Sequence, residues 1–568
     1  MPSPVKGLAE YNRIGSFNPA VESASFALGC RLLEAGEVGE ALPHLKLAAQ
    51  AAPDNPAILE QLAVAYGVNE QLLPALKAYN RLIELGAATA AILRRAGEVL
   101  GRVGEYAQAV AALTDSLQQD RSNSETHHLL AQMYYRLGDI DRAIHHLEYA
   151  ASNSTAIAPW INLATAIPGA PEANLGRIFE IRTQAADKLR QHLGLTGKAA
   201  APRVRRRRHA LPRIGYLSAF FHAANYMKPV WGLINHHDRR AFQIHLFSDS
   251  PGGEPWEGYR SAPQDHCHDT AGLTNDELAL LIADTQVDIL VDLNAFSWPD
   301  RLALFLRRPA PAVIAWFNMY ATSGLPGFDT LVGDDEVLRP GEERFFSEKV
   351  HRLPVSCLTF QVAHPTPPVA PPPCLEKRHL TFGSLVSQYK ITPPVLDVWA
   401  TILQKADGTR LLLANTALKS PHNRHYVADR FAERGVDPDR LILCGPADHL
   451  TYLRYYDRLD VALDAFPYNG GTTTMEAIWQ GVPVLTCGGD RWAARTSRSI
   501  LRGTHLQEFA VDGVEEMIEL AVRMARSPDT PERLAALRRH MRSALEASPA
   551  CDAAALARAM EGLYRGIL

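Results

Sequence analysis

The stretch Asp464-Ala-Phe-Pro-Tyr-Asn-Gly-Gly-Thr-Thr-Thr-Met-Glu-Ala-Ile-Trp-Gln-Gly481 decides how two thirds of this 568-residue chain is read. The short apolar run Val461–Asp464 (VALD) ends at its first residue, a loop rich in Asn and Gly follows, and a helical pattern begins near Thr472. Another apolar run, Val482–Thr486 (VPVLT), comes next. Short buried strands that alternate with helices indicate a parallel sheet covered on both faces. In such a unit the free amides of a helix's first turn, here with the hydroxyls of Thr472 and Thr473, make an anion pocket that suits a diphosphate. Asn469, Gly470 and Gly471 form the approach, the glycines letting backbone come close to a ligand, and Glu476 lies one turn on, where it can accept from ribose hydroxyls. An ordinary strand–turn–helix with a threonine cap is the competing reading, because neither a P-loop nor a GxGxxG pattern is present.

The same alternation extends outward in both directions. His379–Leu385, Arg410–Ala414 and Arg440–Cys444 precede the central stretch as further strands. Upstream lies a second set: Arg213–Ser218, Phe242–Ser248, Val287–Asn294 and Val313–Phe317. The proline-rich segment Pro365 to Pro373 separates the sets as a semi-rigid linker would. Two Rossmann-like, doubly wound lobes joined this way leave a cleft at the carboxyl ends of their strands, where ligands of open α/β sheets bind. The last segment, Pro531 to Leu568, reads as helical and able to pack back across the lobes.

Upstream of residue 200 the pattern changes to a repeat. At a period of 34, Ala41, Ala75, Ala109 and Ala143 fall in register, preceded by Gly36, Gly104 and Gly138, with Glu70 breaking the glycine series. Gly29, Ala63, Gly97 and Ala131 form a further small-residue column. Small residues let antiparallel helices approach, and a glycine suits the left-handed end of the first helix. The period is that of the tetratricopeptide repeat, whose stacks form an α-solenoid with a concave peptide-binding face. About four repeats cover residues 22–155, with a degenerate fifth near Pro159 to Ile167. The resulting organisation is repeats and linking helices at 1–200, a first lobe at 201–364, a linker at 365–377 and a second lobe at 378–568.

Composition narrows the class. A formal net charge of -4 points to neither nucleic acid nor an acidic membrane surface. The run Arg203, Arg205, Arg206, Arg207 and Arg208 reads as a solvated linker in preference to a targeting patch. Seven cysteines without CxxC spacing fit a reducing cytosol, and no apolar run approaches the ~20 residues of a membrane helix. The N-terminal residues MPSPVKGLAEYNRIG lack the apolar core of a signal peptide, so a cytoplasmic protein is expected. His266 and His268 lie in an Asp/His-rich stretch read as a solvated loop, and the pair Asp334-Asp335 as a solvated turn. No metal site is expected.

The segment DAFPYNGGTTTMEAIWQGVPVLT (464–486) closely resembles the nucleotide-binding segment of the O-linked N-acetylglucosamine transferases. RIGYLSAFFH, RRPAPAVIAWFNMYATSG, SQYKITPPVLDVWATIL and LILCGPADHLTYLRYYDRLDVALD match in the same order, so the resemblance covers essentially the whole chain. It implies tetratricopeptide repeats joined to a GT-B glycosyltransferase unit. It further implies inverting, metal-independent transfer from UDP-N-acetylglucosamine, a donor substrate and not a bound cofactor, to Ser or Thr hydroxyls of proteins held by the repeats. By that resemblance Lys390 faces the diphosphate, main-chain groups at Ala447 read the uracil, and Tyr452 stacks on the base in place of the family's histidine. Gly471 likewise stands for a histidine, Glu476 for an aspartate, Tyr320 for a proline and Asn415 for an aromatic residue. His222 matches a histidine beside the sugar and serves either as base or in orienting substrate, since the carboxylate upstream of it in the family has no counterpart among Ala219, Phe220 and Phe221. These departures leave two alternatives open: a repeat scaffold with a UDP-sugar-binding lobe of weak or no activity, or a transferase with a non-protein acceptor.

Overall fold

The computed structural model describes residues 19–195, 210–250 and 256–568; the arginine run at 203–208 and the N-terminal stretch 1–15 lie outside the described residues. The chain divides into two compact units, Met1–Met133 and Tyr134–Leu568.

In the first unit, helices Pro19–Glu34, Pro56–Val68 and Ala90–Val103 pair with Val38–Ala51, Leu72–Glu84 and Tyr106–Gln119, respectively, and Ser124–Leu137 opens a fourth pair. The register has a steric cause. A Cβ added at Gly97 would lie 2.6 Å from Leu113 Cγ, and one at Gly29 would lie 2.7 Å from Leu45 Cγ. Ala41, Ala75 and Ala109 are fully buried at the helix crossings. Gly36 and Gly104 end their helices at φ of 80° and 89°. Glu70, the break in the glycine column, takes the same left-handed conformation at φ 58°, so the turn is kept at a residue it does not favour.

The second unit opens with the end of that fourth pair and its partner Ile140–Asn153, then helices Ala158–Ala166 and Leu175–His192, before the sheets. The first sheet holds β1 (Arg213–Ser218), β2 (Gln243–Ser248), β3 (His266–Asp269), β4 (Ile289–Asp292), β5 (Ala312–Ala315), β6 (Thr330–Asp334) and β7 (Lys349–Leu353). The second holds β8 (Thr381–Ser384), β9 (Arg410–Ala414), β10 (Leu441–Cys444), β11 (Val461–Leu463), β12 (Val484–Cys487) and β13 (Ala510–Val511). Every pairing is parallel. The orders are β3-β2-β1-β4-β5-β6-β7 and β10-β9-β8-β11-β12-β13. Each order reverses once, between β1 and β4 and between β8 and β11, and those reversals are where crevices open.

Two readings are corrected here. His266 and His268 are not in a loop but in β3, an edge strand whose His-Cys-His-Asp sequence has no apolar run to announce it. Asp334 is not a solvated turn residue: it ends β6, buried, and accepts from the Cys357 amide at 3.0 Å and Ser499 Oγ at 2.6 Å. The last helix, Ala553–Ile567, returns to the first lobe, where Tyr564 and Tyr216 share a 2.8 Å hydrogen bond and His237 Nδ1 lies 3.0 Å from Glu561. The proline-rich segment is clamped by the second lobe, with Arg542 donating to the Pro367 carbonyl at 3.0 Å and Arg538 to that of Ala370 at 3.1 Å.

Candidate active site

Asp464, which follows β11, organizes the loop that the sequence singles out. Its Oδ1 accepts from the Gly470 amide at 2.8 Å and its own neighbour's amide, Ala465, at 2.9 Å, while Oδ2 accepts from Thr486 Oγ1 at 2.7 Å. The loop is thereby drawn back over the strand end, and the helix Thr472–Trp479 starts at the mouth of the crevice. Thr472 and Thr473 remain partly accessible, whereas Thr474 is buried against Ser497 at 2.8 Å. The glycines have separate reasons. At Gly470 a Cβ would strike the hydroxyls of Thr473 and Thr474, so the close approach is to the protein's own side chains. At Gly471 it would meet only Thr496 Cγ2 and the Tyr320 hydroxyl, both at 3.9 Å, so this position is the open one. Asn469 does not present its side chain to the crevice: it is buried, with Nδ2 donating to the Ala465 carbonyl at 2.8 Å.

Asn469 contributes its carbonyl instead, which accepts from Lys390 Nζ at 2.7 Å. Lys390 follows β8 in the turn Gln388–Lys390, so cation and helix start come from the two strands that flank the reversal of the second sheet. The ammonium lies 4.1 Å from the centre of the Tyr468 ring. Burial pushes it down to about 8, and the nearby Asp464 carboxylate opposes that fall. The turn is braced by residues at the start of the second unit. Tyr135 stacks on Tyr389 with ring centres 5.0 Å apart, and Gln388 Nε2 donates to the Leu137 carbonyl at 3.3 Å. Asp139 accepts from Arg430 at 2.9 Å. Asn415 is buried as a local cap, its Oδ1 accepting from the Ala417 and Leu418 amides and its Nδ2 donating to Gln388 at 3.1 Å.

Further along the second lobe, Ala447 is half-buried in the loop between β10 and the helix His449–Leu453, and Tyr452 lies in that helix. The Tyr452 hydroxyl donates to the Leu385 carbonyl at 2.6 Å, which fixes the ring plane. Glu476 is buried, and its Oε1 already accepts from Lys228 Nζ of the first lobe at 2.6 Å. His449, which the sequence did not single out, stands 3.2 Å from Lys228 Nζ, 2.9 Å from Asn225 and 3.3 Å from His364. Burial and the Lys228 ammonium pull it down to about 4. Ala223, Asn225, His364, His449 and Leu450 line a cavity of about 490 Å³ where the lobes face each other, a size that accepts a nucleoside.

From the first lobe, His222 lies exposed on the loop after β1, next to cavity-lining Ala223. Phe220 packs against Tyr226 with ring centres 4.1 Å apart and planes tilted by 30°, so an aromatic packing contact occupies the neighbourhood where a carboxylate is lacking. Asp292, at the end of β4, was missed; burial raises it to about 7, but it accepts from the Asn294 and Ala295 amides and shapes that loop. Tyr320 sits at φ 54° on a loop clamped by buried Arg182, which donates to the Met319 and Thr322 carbonyls at 3.1 and 2.7 Å and to that of Ala164 at 3.0 Å. Its ring is 5.2 Å from that of Tyr468, opposite the start of the helix at Thr472.

Two parallel α/β lobes with a cation and a helix start at the cleft between them constitute the GT-B arrangement of glycosyltransferases, here preceded by tetratricopeptide repeats. Residues 199–363 and 375–560 match glycosyl transferase family 41, and residues 102–152 match a tetratricopeptide repeat family. The chain belongs to glycosyl transferase family 41. It is 30% identical over 362 residues to the probable UDP-N-acetylglucosamine–peptide N-acetylglucosaminyltransferase SPINDLY of Solanum lycopersicum, 62% of this chain and 38% of that protein. To the probable enzyme of the same activity, SEC, of Arabidopsis thaliana it is 27% identical over 366 residues, 62% of this chain and 36% of that one. The chain therefore spans less than two fifths of the length of these curated relatives. A mutant O-GlcNAc transferase of Thermobaculum terrenum superposes over 98% of both chains at a TM-score of 0.72 and 27% identity.

Proposed function

We propose that this chain transfers N-acetylglucosamine from UDP-N-acetylglucosamine to Ser or Thr hydroxyls of proteins, with inversion and without a metal. The observation that carries the reading is Lys390 and the helix start at Thr472 meeting on either side of the strand reversal. As the sugar–phosphate bond breaks, negative charge grows on the β-phosphate. A fixed ammonium, helix amides and the Thr472 and Thr473 hydroxyls stabilise that charge at no reorganization cost. Transition-state stabilisation of this kind asks nothing of a cation from solution. The base lies against Tyr452, the uracil edge meets main-chain groups at Ala447, and Glu476 accepts from the ribose. His222, at the lip of the cavity, faces the acceptor and either takes the hydroxyl proton or orients the sugar. The repeats hold the acceptor polypeptide. Seven free thiols suit a cytosolic setting.

A panel of UDP- and GDP-linked sugars, radiolabelled and offered with lysate, tests this directly. Protein-bound label from UDP-N-acetylglucosamine that survives EDTA and vanishes in Lys390→Ala is the expected result. Label from a different nucleotide sugar overturns the donor assignment, soluble glycoside alone overturns the acceptor, and a strict need for added Mn²⁺ overturns the metal-free mechanism.

A further inference from the structure

Glu476 is one end of a buried ion pair whose other end belongs to the opposite lobe. Lys228 lies in the helix Ala224–Asn235 of the first lobe, and its Nζ donates to Glu476 Oε1 at 2.6 Å, with 3% and 4% of the two residues exposed. The ammonium is also 3.2 Å from His449 Nε2 and 5.5 Å from the centre of the Phe360 ring. Four separate segments thus converge: the first-lobe helix, the crossover carrying Phe360 and His364, the helix at His449, and the helix at Thr472.

Stability alone does not account for such a pair. Removing two charges from water opposes their mutual attraction, and apolar side chains of similar volume hold an interface as well or better. What a buried ammonium does supply is orientation and an opposing charge: burial raises the Glu476 carboxyl, and the Lys228 ammonium works against that rise. A glutamate free to turn about its side-chain bonds loses that freedom on meeting a ligand. Lys228 removes most of that freedom beforehand. Ionised, the carboxylate only accepts, and with Oε1 fixed the direction of Oε2 is set as well. The pair stands beside the 490 Å³ cavity whose lining includes Asn225, His364 and His449.

We propose that Lys228 is a positioning residue for nucleotide recognition, holding the Glu476 carboxylate oriented to accept the ribose hydroxyls of the donor. This rests on the nucleotide-sugar reading above, and it adds a first-lobe residue to a ribose contact otherwise confined to the second lobe. Recognition of the nucleoside then depends on the two lobes being in register.

The test is the affinity of the full-length protein for UDP and for 2′,3′-dideoxy-UDP, measured by calorimetry in the natural protein and in Lys228→Met, Lys228→Arg and Glu476→Gln. Hydrogen bonds to a charged group predict that the natural protein prefers UDP by about 10- to 100-fold. Lys228→Met is expected to reduce that preference to about threefold or less, and Lys228→Arg to keep it. A purely structural role weakens both ligands alike and leaves their ratio intact, so an unchanged ratio in Lys228→Met overturns the inference. If Glu476→Gln also keeps the ratio, the ribose reading itself fails. Loss in Glu476→Gln with retention in Lys228→Met sinks only the role of Lys228. If the methionine variant does not fold, Lys228→Ala replaces it with the same expectation: a preference of about threefold or less supports the inference, and an unchanged ratio overturns it.

Discussion

Raising the pH is the most discriminating perturbation of the proposed anion pocket, because it discharges Lys390 without removing it. Burial holds the ammonium down at about 8 against an ordinary 10.5. In the ligand-free protein it is therefore charged below pH 8 and loses its proton as the pH rises through that value. At pH 9 only about a tenth of the molecules retain it. A diphosphate beside Nζ favours the charged form, so binding above pH 8 must take up a proton. The Kd for UDP should change little near pH 7, where Lys390 and the terminal phosphate of the ligand are both mostly charged, and weaken by up to ~10-fold per pH unit above pH 8. Calorimetry at pH 8.5 in two buffers of different ionisation enthalpy should register the proton uptake. Lys390→Met should abolish this pH dependence and lower kcat by ~10²–10³, as when an oxyanion donor is removed. The same depressed value carries a stability consequence. Below pH 8 the fold confines an ammonium it disfavours by roughly 3 kcal/mol, a penalty relieved between pH 8 and 10.5. The ligand-free Lys390→Met protein should accordingly melt no lower than the natural one at pH 7. A UDP affinity that stays flat from pH 7 to 9.5, or one that varies equally in Lys390→Met, refutes the placement of this lysine against the phosphates.

Three further outcomes follow from packing and buried charge. Arg182→Met leaves the Ala164, Met319 and Thr322 carbonyls without their donor and should destabilise the second unit by about 2–4 kcal/mol, read in denaturant unfolding, with turnover lost as the Tyr320 loop relaxes. Asp139→Ala strands the Arg430 guanidinium and should cost about 3 kcal/mol, whereas a double change that also replaces Arg430 with Met should recover much of it. Gly97→Val drives a side chain into Leu113 and should lower the melting midpoint of the repeat array by the equivalent of about 1–3 kcal/mol, with Gly36→Ala giving a smaller loss from backbone strain alone.

How much of the site was legible depended on where its signals lay. Strands buried on both faces, such as β9 and β11, show as apolar runs, so the second sheet was readable almost strand for strand. Edge strands β3 and β7 carry His, Lys and Arg and left no such trace. The helix start at Thr472 was visible because Asn and Gly mark a loop and Thr a helix start, signals that an ordinary strand–turn–helix would also give. Lys228 and His449 were not, since a lysine in an amphipathic helix and a histidine after a turn look like solvated surface.

By itself the sequence determined the repeat register, the alternation that makes two parallel lobes, and the Asn- and Gly-rich loop that leads from β11 into the helix at Thr472. All three follow from local periodicity and turn chemistry, which neighbours in the chain dictate. Only the tertiary structure decided that Asn469 serves through its carbonyl, that Gly470 is small to admit the protein's own threonines, and that Glu476 meets Lys228 across the cleft. Those contacts join residues as much as 248 positions apart, and which charges share a desolvated space is settled by packing, not by spacing along the chain.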